Sequence, residues 1–168
     1  MNPPVAALGA EARLFLREEE LDAARELFVL AEAALGTAAE AALDGEQSRL
    51  GRGHWRAAFL LKRRPGLGVQ ELARLTGLSK QGASRVLRDL EAAGHVEKSA
   101  GAADARRRPA RLTAQGAVFE ERVSERLRHL LARAYRAGGL DAVGGAQRIL
   151  AAVAGPRNAP FDSGGNGL

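Results

Sequence analysis

Apolar positions recur with a helical period along most of the chain. Leu14, Leu21, Ala24, Leu27, Phe28, Ala31 and Leu35 form one stripe, and Glu18, Glu19, Glu20, Asp22 and Glu26 fill the remaining faces. The pattern predicts a long helix from about Ala10, which Ala38 to Leu43 can continue until Asp44-Gly45 breaks it. His54 to Lys62 reads as a short helix with Trp55, Ala58, Phe59 and Leu61 largely inward. Arg63-Arg64-Pro65-Gly66 ends it, because the residue before proline disfavours the α region and Pro-Gly is turn chemistry.

The stretch from Val69 to Gly94 reads as two helices joined by a tight turn. The first runs from about Val69 to Leu75, and Gly77 supplies the turn, where a positive φ costs glycine nothing. Ser79 can cap the second helix by accepting an orphan backbone N–H. Ala83, Val86, Leu87 and Leu90 recur at i, i+3, i+4 and i+7 as its buried stripe, and Gly94 closes it. The opposite face carries Lys80, Gln81, Ser84, Arg85 and Arg88, with no carboxylate before Asp89. Cations mixed with amide and hydroxyl groups are what pair with phosphates and base edges in a major groove. Any one of these signals is weak. Turn, cap, stripe and polar face together have helix-turn-helix spacing.

His95 to Ser99 has strand character, Gly101 to Asp104 reads as a turn, and Pro109 to Thr113 reads as a returning strand. This hairpin holds Arg106, Arg107 and Arg108 near its tip, as the wing of a winged helix would. Three adjacent arginines are most often a solvated run. Directly after a helix-turn-helix they are placed for phosphate or narrow minor-groove contact. Thr113 then caps a long helix whose stripe is Val118, Phe119, Val123, Leu127, Leu130, Leu131 and Ala134, ending near Tyr135. After Gly138-Gly139, a last helix from Leu140 to Val153 carries Val143, Ile149, Leu150 and Val153. The fold class is thus mainly α with a small β-hairpin wing.

Composition sharpens this picture. The 168 residues are 46% hydrophobic but only 4% aromatic, which suits an aliphatic, helical core. Charge is unevenly distributed. Residues 1–51 hold 4 Lys and Arg against 10 Asp and Glu, a net of −6. Residues 52–113 hold 14 against 5, a net of +9. A basic block at the helix-turn-helix favours a polyanion partner. No run is long and apolar enough to predict a membrane span, and no secretory signal is legible, so a cytoplasmic protein is expected. The absence of Cys excludes disulfides and thiolate chemistry.

The order of these elements resembles the MarR family of bacterial transcription regulators. The resemblance is carried by Glu71-Leu-Ala-Arg-Leu-Thr-Gly-Leu-Ser-Lys, Arg85-Val-Leu-Arg-Asp-Leu-Glu-Ala-Ala-Gly, Asp104-Ala-Arg-Arg-Arg and Leu112-Thr-Ala-Gln-Gly. Leu14-Phe-Leu-Arg-Glu-Glu-Glu-Leu is similar to the family's PetP-like branch. The resemblance spans roughly Leu14 to Val153. It implies an obligate homodimer: a winged helix-turn-helix with N- and C-terminal dimerisation helices. The expected organisation is a mobile arm over 1–9, a helical dimerisation region over 10–51, and the winged helix-turn-helix over 52–113. Dimerisation helices over 114–154 and a disordered tail over 155–168 complete it. Recognition helix 79–93 would enter the major groove, and wing 95–113 the flanking minor groove or backbone. Ser79, Lys80, Gln81, Ser84, Arg85, Arg88, Arg106, Arg107 and Arg108 are the expected DNA-binding residues, with Asp104 bracing the wing arginines. Two-fold symmetry implies double-stranded DNA with a palindromic operator, its half-sites about 10 base pairs apart or a multiple of that.

Enzyme readings find no footing in the residues. His54, His95 and His129 are scattered without metal spacing, and no Gly-rich phosphate loop or GxSxG elbow occurs. No metal or cofactor is expected. His129, among apolar neighbours, reads as a packing residue. His54 is ordinarily a satisfied structural histidine. In MarR-like folds, however, the gap beside this helix often holds a small-molecule effector, which makes His54 and Trp55 candidate pocket residues. Two other readings remain in competition: a winged-helix protein-interaction module docking through the acidic first helix, and a nucleoid-type protein binding DNA without sequence preference.

Overall fold

The computed structural model describes residues 17–44, 50–98 and 110–158. The expected mobile arm, residues 10–16, the wing tip with Asp104, Arg106, Arg107 and Arg108, and the chain after Asn158 lie outside them. Two compact units divide between Leu35 and Gly36. Helix α1, Glu18–Leu43, passes from the first into the second.

In the first unit the described helix α1 begins at Glu18; the expected start near Ala10 lies outside the described residues. Arg17 is not helical, and the Glu20 carboxylate takes its backbone N–H at 2.9 Å. Glu18, Glu19 and Glu20 occupy the first turn, where the helix dipole favours anions. Leu21, Leu27, Phe28, Val29 and Leu30 are all exposed. Of the predicted stripe, Leu21, Ala24, Leu27, Phe28 and Ala31 are exposed among the described residues and Leu35 is half-buried.

The second unit builds its core from short aliphatic side chains. The end of α1 contributes Ala39 and Leu43; α2, Arg52–Arg63, contributes Ala57, Ala58 and Leu61. Trp55 and Phe59 are half-buried with ring centroids 5.6 Å apart. Helix α3, Val69–Thr76, ends at Gly77, whose φ of 73° provides the turn, and α4 runs Lys80–Ala92. Ser79 Oγ accepts the Gly82 N–H at 3.0 Å, as its N-cap position predicts. Leu61, Leu72, Leu90 and Val123 are almost fully buried, and each stabilises the fold by about 1.5–3 kcal/mol.

Strands β1, Val96–Lys98, and β2, Ala110–Leu112, pair antiparallel with Glu97 opposite Arg111. Helix α5, Ala114–Gly138, starts on this hairpin. Thr113 Oγ1 accepts the Gly116 N–H and donates to the Gly94 carbonyl at 2.7 Å, while Thr113 N–H donates to the His95 carbonyl at 3.1 Å. Gly116 is a requirement of this junction, since a Cβ there would lie 1.9 Å from the His95 carbonyl oxygen.

Beyond Leu127 the apolar stripe of α5 is no longer buried. Leu131 and Ala134 are exposed, as is Val118 near its start, and Leu130 is only half-buried. Helix α6, Leu140–Ala154, buries no residue, and Leu140, Ile149, Leu150 and Val153 face solvent. His129 does not pack either. Its side chain is 75% exposed, 4.0 Å from Glu125, because two residues past Leu127 the helix has turned it away from the buried face. Pro156–Asn158 forms a 3₁₀ turn where a disordered tail is expected, and the Arg74 guanidinium donates to the Asn158 side-chain oxygen.

Candidate nucleic-acid interface

Helix α4 presents its two faces as its sequence requires. Ala83, Leu87 and Leu90 are buried, while Lys80, Gln81, Arg85 and Arg88 are exposed and Ser84 is half-buried. Ser79 is exposed but its hydroxyl is already used as the cap. Arg88 Nε donates back to the Ser84 carbonyl at 3.4 Å. The Arg85 side chain is 80% exposed, with Nε 3.8 Å from Asp89 Oδ2.

The two acids of α4 are engaged from outside the helix. Glu91 accepts from Lys98 Nζ of β1 at 2.6 Å, which ties the wing root to α4. Asp89 Oδ2 lies 3.3 Å from His54 Nε2. His54 Nδ1 accepts the Gly51 N–H at 3.0 Å at the start of α2, so the ring proton sits on Nε2 and is donated to Asp89. Both nitrogens of His54 thus have structural partners. Trp55 Nε1 is buried with no hydrogen-bond partner.

An open groove of about 490 Å³ lies elsewhere, lined by Lys62 of α2 and by Ala117, Val118, Glu121, Arg122 and Glu125 of α5. Neither His54 nor Trp55 lines it. Lys62 Nζ donates to Glu120 at 2.5 Å and to Glu121 at 2.7 Å, and these carboxylates, Glu120 first, raise its pKa. Hydrogen bonds from Lys62 and then Arg128 hold Glu121 below its ordinary range. Glu120 is 1% exposed and also accepts from the Ser124 hydroxyl. Sequence reasoning missed it: a glutamate beside Phe119 gives no sign that its counterion lies 58 residues earlier. His95 is also buried, stacked on Phe119 at 4.7 Å with Nδ1 unpartnered, and burial lowers its pKa.

Among the described residues no group of three His, Asp or Glu could hold a metal ion. Among them, too, no helix is long and apolar enough to cross a membrane.

Residues 50–107 match the model of the MarR family. The HTH-type transcriptional regulator PetP of Rhodobacter capsulatus is 39% identical over 150 residues, covering 89% of this chain and 89% of that one. Among solved structures, the Mycobacterium tuberculosis MarR family protein Rv2887 in complex with DNA is 29% identical with a TM-score of 0.57, over 77% of this chain and 95% of that one. The same protein in complex with salicylic acid is 30% identical with a TM-score of 0.59, over 76% and 93%.

Proposed function

The chain belongs to the MarR family of transcriptional regulators, and on that premise we propose that it is a homodimeric, sequence-specific DNA-binding protein of the cytoplasm. Its ligand is double-stranded DNA with a palindromic operator, and it performs no catalysis. The Rv2887 complex with DNA supports the choice of ligand. The observation that carries the reading is the solvent face of α4. Lys80, Gln81, Arg85 and Arg88 are exposed there, and Asp89 and Glu91 are engaged by His54 and Lys98. The three cations outnumber the two acids, so the face offers a net cationic surface to phosphates and base edges.

Ser79, Lys80, Gln81, Ser84, Arg85 and Arg88 would work in the major groove. Arg106, Arg107 and Arg108, braced by Asp104, would reach the flanking minor groove or backbone. Residues 10–51 and 114–154 would form the dimer. The uncovered apolar side chains of α1 and of α6 support that assignment. Rv2887 with salicylic acid supports a small-molecule effector, which acts only as far as it binds two conformations unequally.

A salt titration tests the reading. If the dimer neutralises about 6–10 phosphates, affinity for an operator duplex falls about 10³–10⁵-fold between 50 and 200 mM salt. Random duplex should compete poorly. A flat salt response overturns groove binding, and equal competition by random DNA establishes the architectural reading instead.

A further inference from the structure

We infer that Asp89 and His54 are positioning residues for Arg85, and that they make it a reader of a base edge rather than a phosphate anchor. The inference rests on the assignment of α4 as the DNA-reading helix. Three contacts join the N-cap backbone of α2 to the exposed guanidinium. Gly51 N–H donates to His54 Nδ1 at 3.0 Å, His54 Nε2 donates to Asp89 Oδ2 at 3.3 Å, and Arg85 Nε lies 3.8 Å from the same oxygen.

Side-chain exposure rises along this chain of contacts: 16% at His54, 44% at Asp89 and 80% at Arg85. The order therefore runs from a ring held at a helix start to a side chain largely in solvent. An exposed i,i+4 pair alone restrains arginine poorly. Here the carboxylate is itself held, so it offers Arg85 a fixed anchor.

Two consequences follow from the chemistry. With Nε the atom nearest Asp89, the two Nη atoms remain available, and a guanidinium that donates through such atoms matches the O6 and N7 acceptors of guanine. Asp89 also repels any phosphate that approaches Arg85. It therefore weakens sequence-independent binding while leaving a neutral base edge acceptable. An acid on a recognition helix is in this setting a specificity element. The distant His54 acts through it.

The test enriches a random-sequence duplex library on the full-length protein and on four variants: Arg85→Ala, Asp89→Asn, His54→Ala, and Asp89→Asn combined with Arg85→Ala. Thermal melting serves as the folding control. Wild type should enrich a symmetric sequence with a guanine in each half-site whose selection Arg85→Ala abolishes. Asp89→Asn should keep its fold, bind random duplex more tightly, and prefer that guanine about tenfold less, the scale of one bidentate contact. His54→Ala should move the same base pair in the same direction by a smaller factor. In the Arg85→Ala background, Asp89→Asn should change nothing at that position. A folded Asp89→Asn variant with unchanged selection there overturns the inference, as does one that loses affinity uniformly at every position, which a mere staple between α2 and α4 would do. If wild type enriches no sequence, the DNA-reading assignment fails first and takes this inference with it.

Discussion

His95 illustrates how a residue's chemistry can be set by what surrounds it. Its ring lies flat on Phe119, is 6% exposed, and has no partner for Nδ1. Burial therefore holds its pKa below the ordinary 6.5. The unfolded chain takes up a proton near that ordinary value, and the folded chain resists doing so. His95 thus costs no stability above about pH 6.5, and stability is lost as pH falls below that value toward the depressed folded pKa. Urea midpoints measured from about pH 7 to pH 5 should fall with acidity, and His95→Phe should flatten the decline; an equal slope in the variant removes His95 as its source. None of this is legible in the chain itself, where His95 reads only as the start of a strand. The same holds for the bond between His54 and Asp89. Each residue stands out locally, but 35 positions separate them and no periodicity connects them. His129 misled for the converse reason: its neighbours in sequence are apolar, but on a helix sequence neighbours do not share a face.

At the scale of elements the sequence reading works best where the causes are local. Gly77, the Ser79 cap and the stripe of α4 lie within a short stretch, and each acts on backbone a few residues away. The junction of β1 with α5 is less legible, although it is as strictly specified. Thr113 announces its role as a cap, but the need for glycine at 116 comes from a carbonyl 21 positions earlier. Gly116→Ala should force α5 away from the His95 backbone and destabilise the protein by about 3 kcal/mol or more, read by chemical denaturation. A loss below about 1 kcal/mol, typical of surface substitutions and helix-favouring alanine, would mean the junction yields easily. The helical period of α5 and α6 is equally plain in the sequence. Period alone does not say what covers a stripe, and the single chain leaves Leu131, Ile149, Leu150 and Val153 open.

For the molecule as a whole, that open apolar surface and the charge distribution point the same way. A net of +9 over residues 52–113 draws the chain toward a polyanion, while in the proposed homodimer the exposed aliphatic stripes are where a second copy packs. Ile149→Glu combined with Val153→Glu should split the dimer in sedimentation analysis while leaving the far-UV spectrum helical. Operator affinity should fall by at least about a hundredfold, because two linked half-site contacts become independent ones. A variant that remains dimeric would remove α6 from the interface. At 25 residues helix α5 is about 37 Å long, and its first turn is bonded to the hairpin while its far end stands among exposed apolar groups. Over that length a pivot of only about 5° near Gly138 would sweep the opposite tip, with the hairpin bonded to it, through an arc of about 3 Å. Travel of that size equals roughly one base-pair rise, enough to put a pair of reading heads out of phase with a duplex.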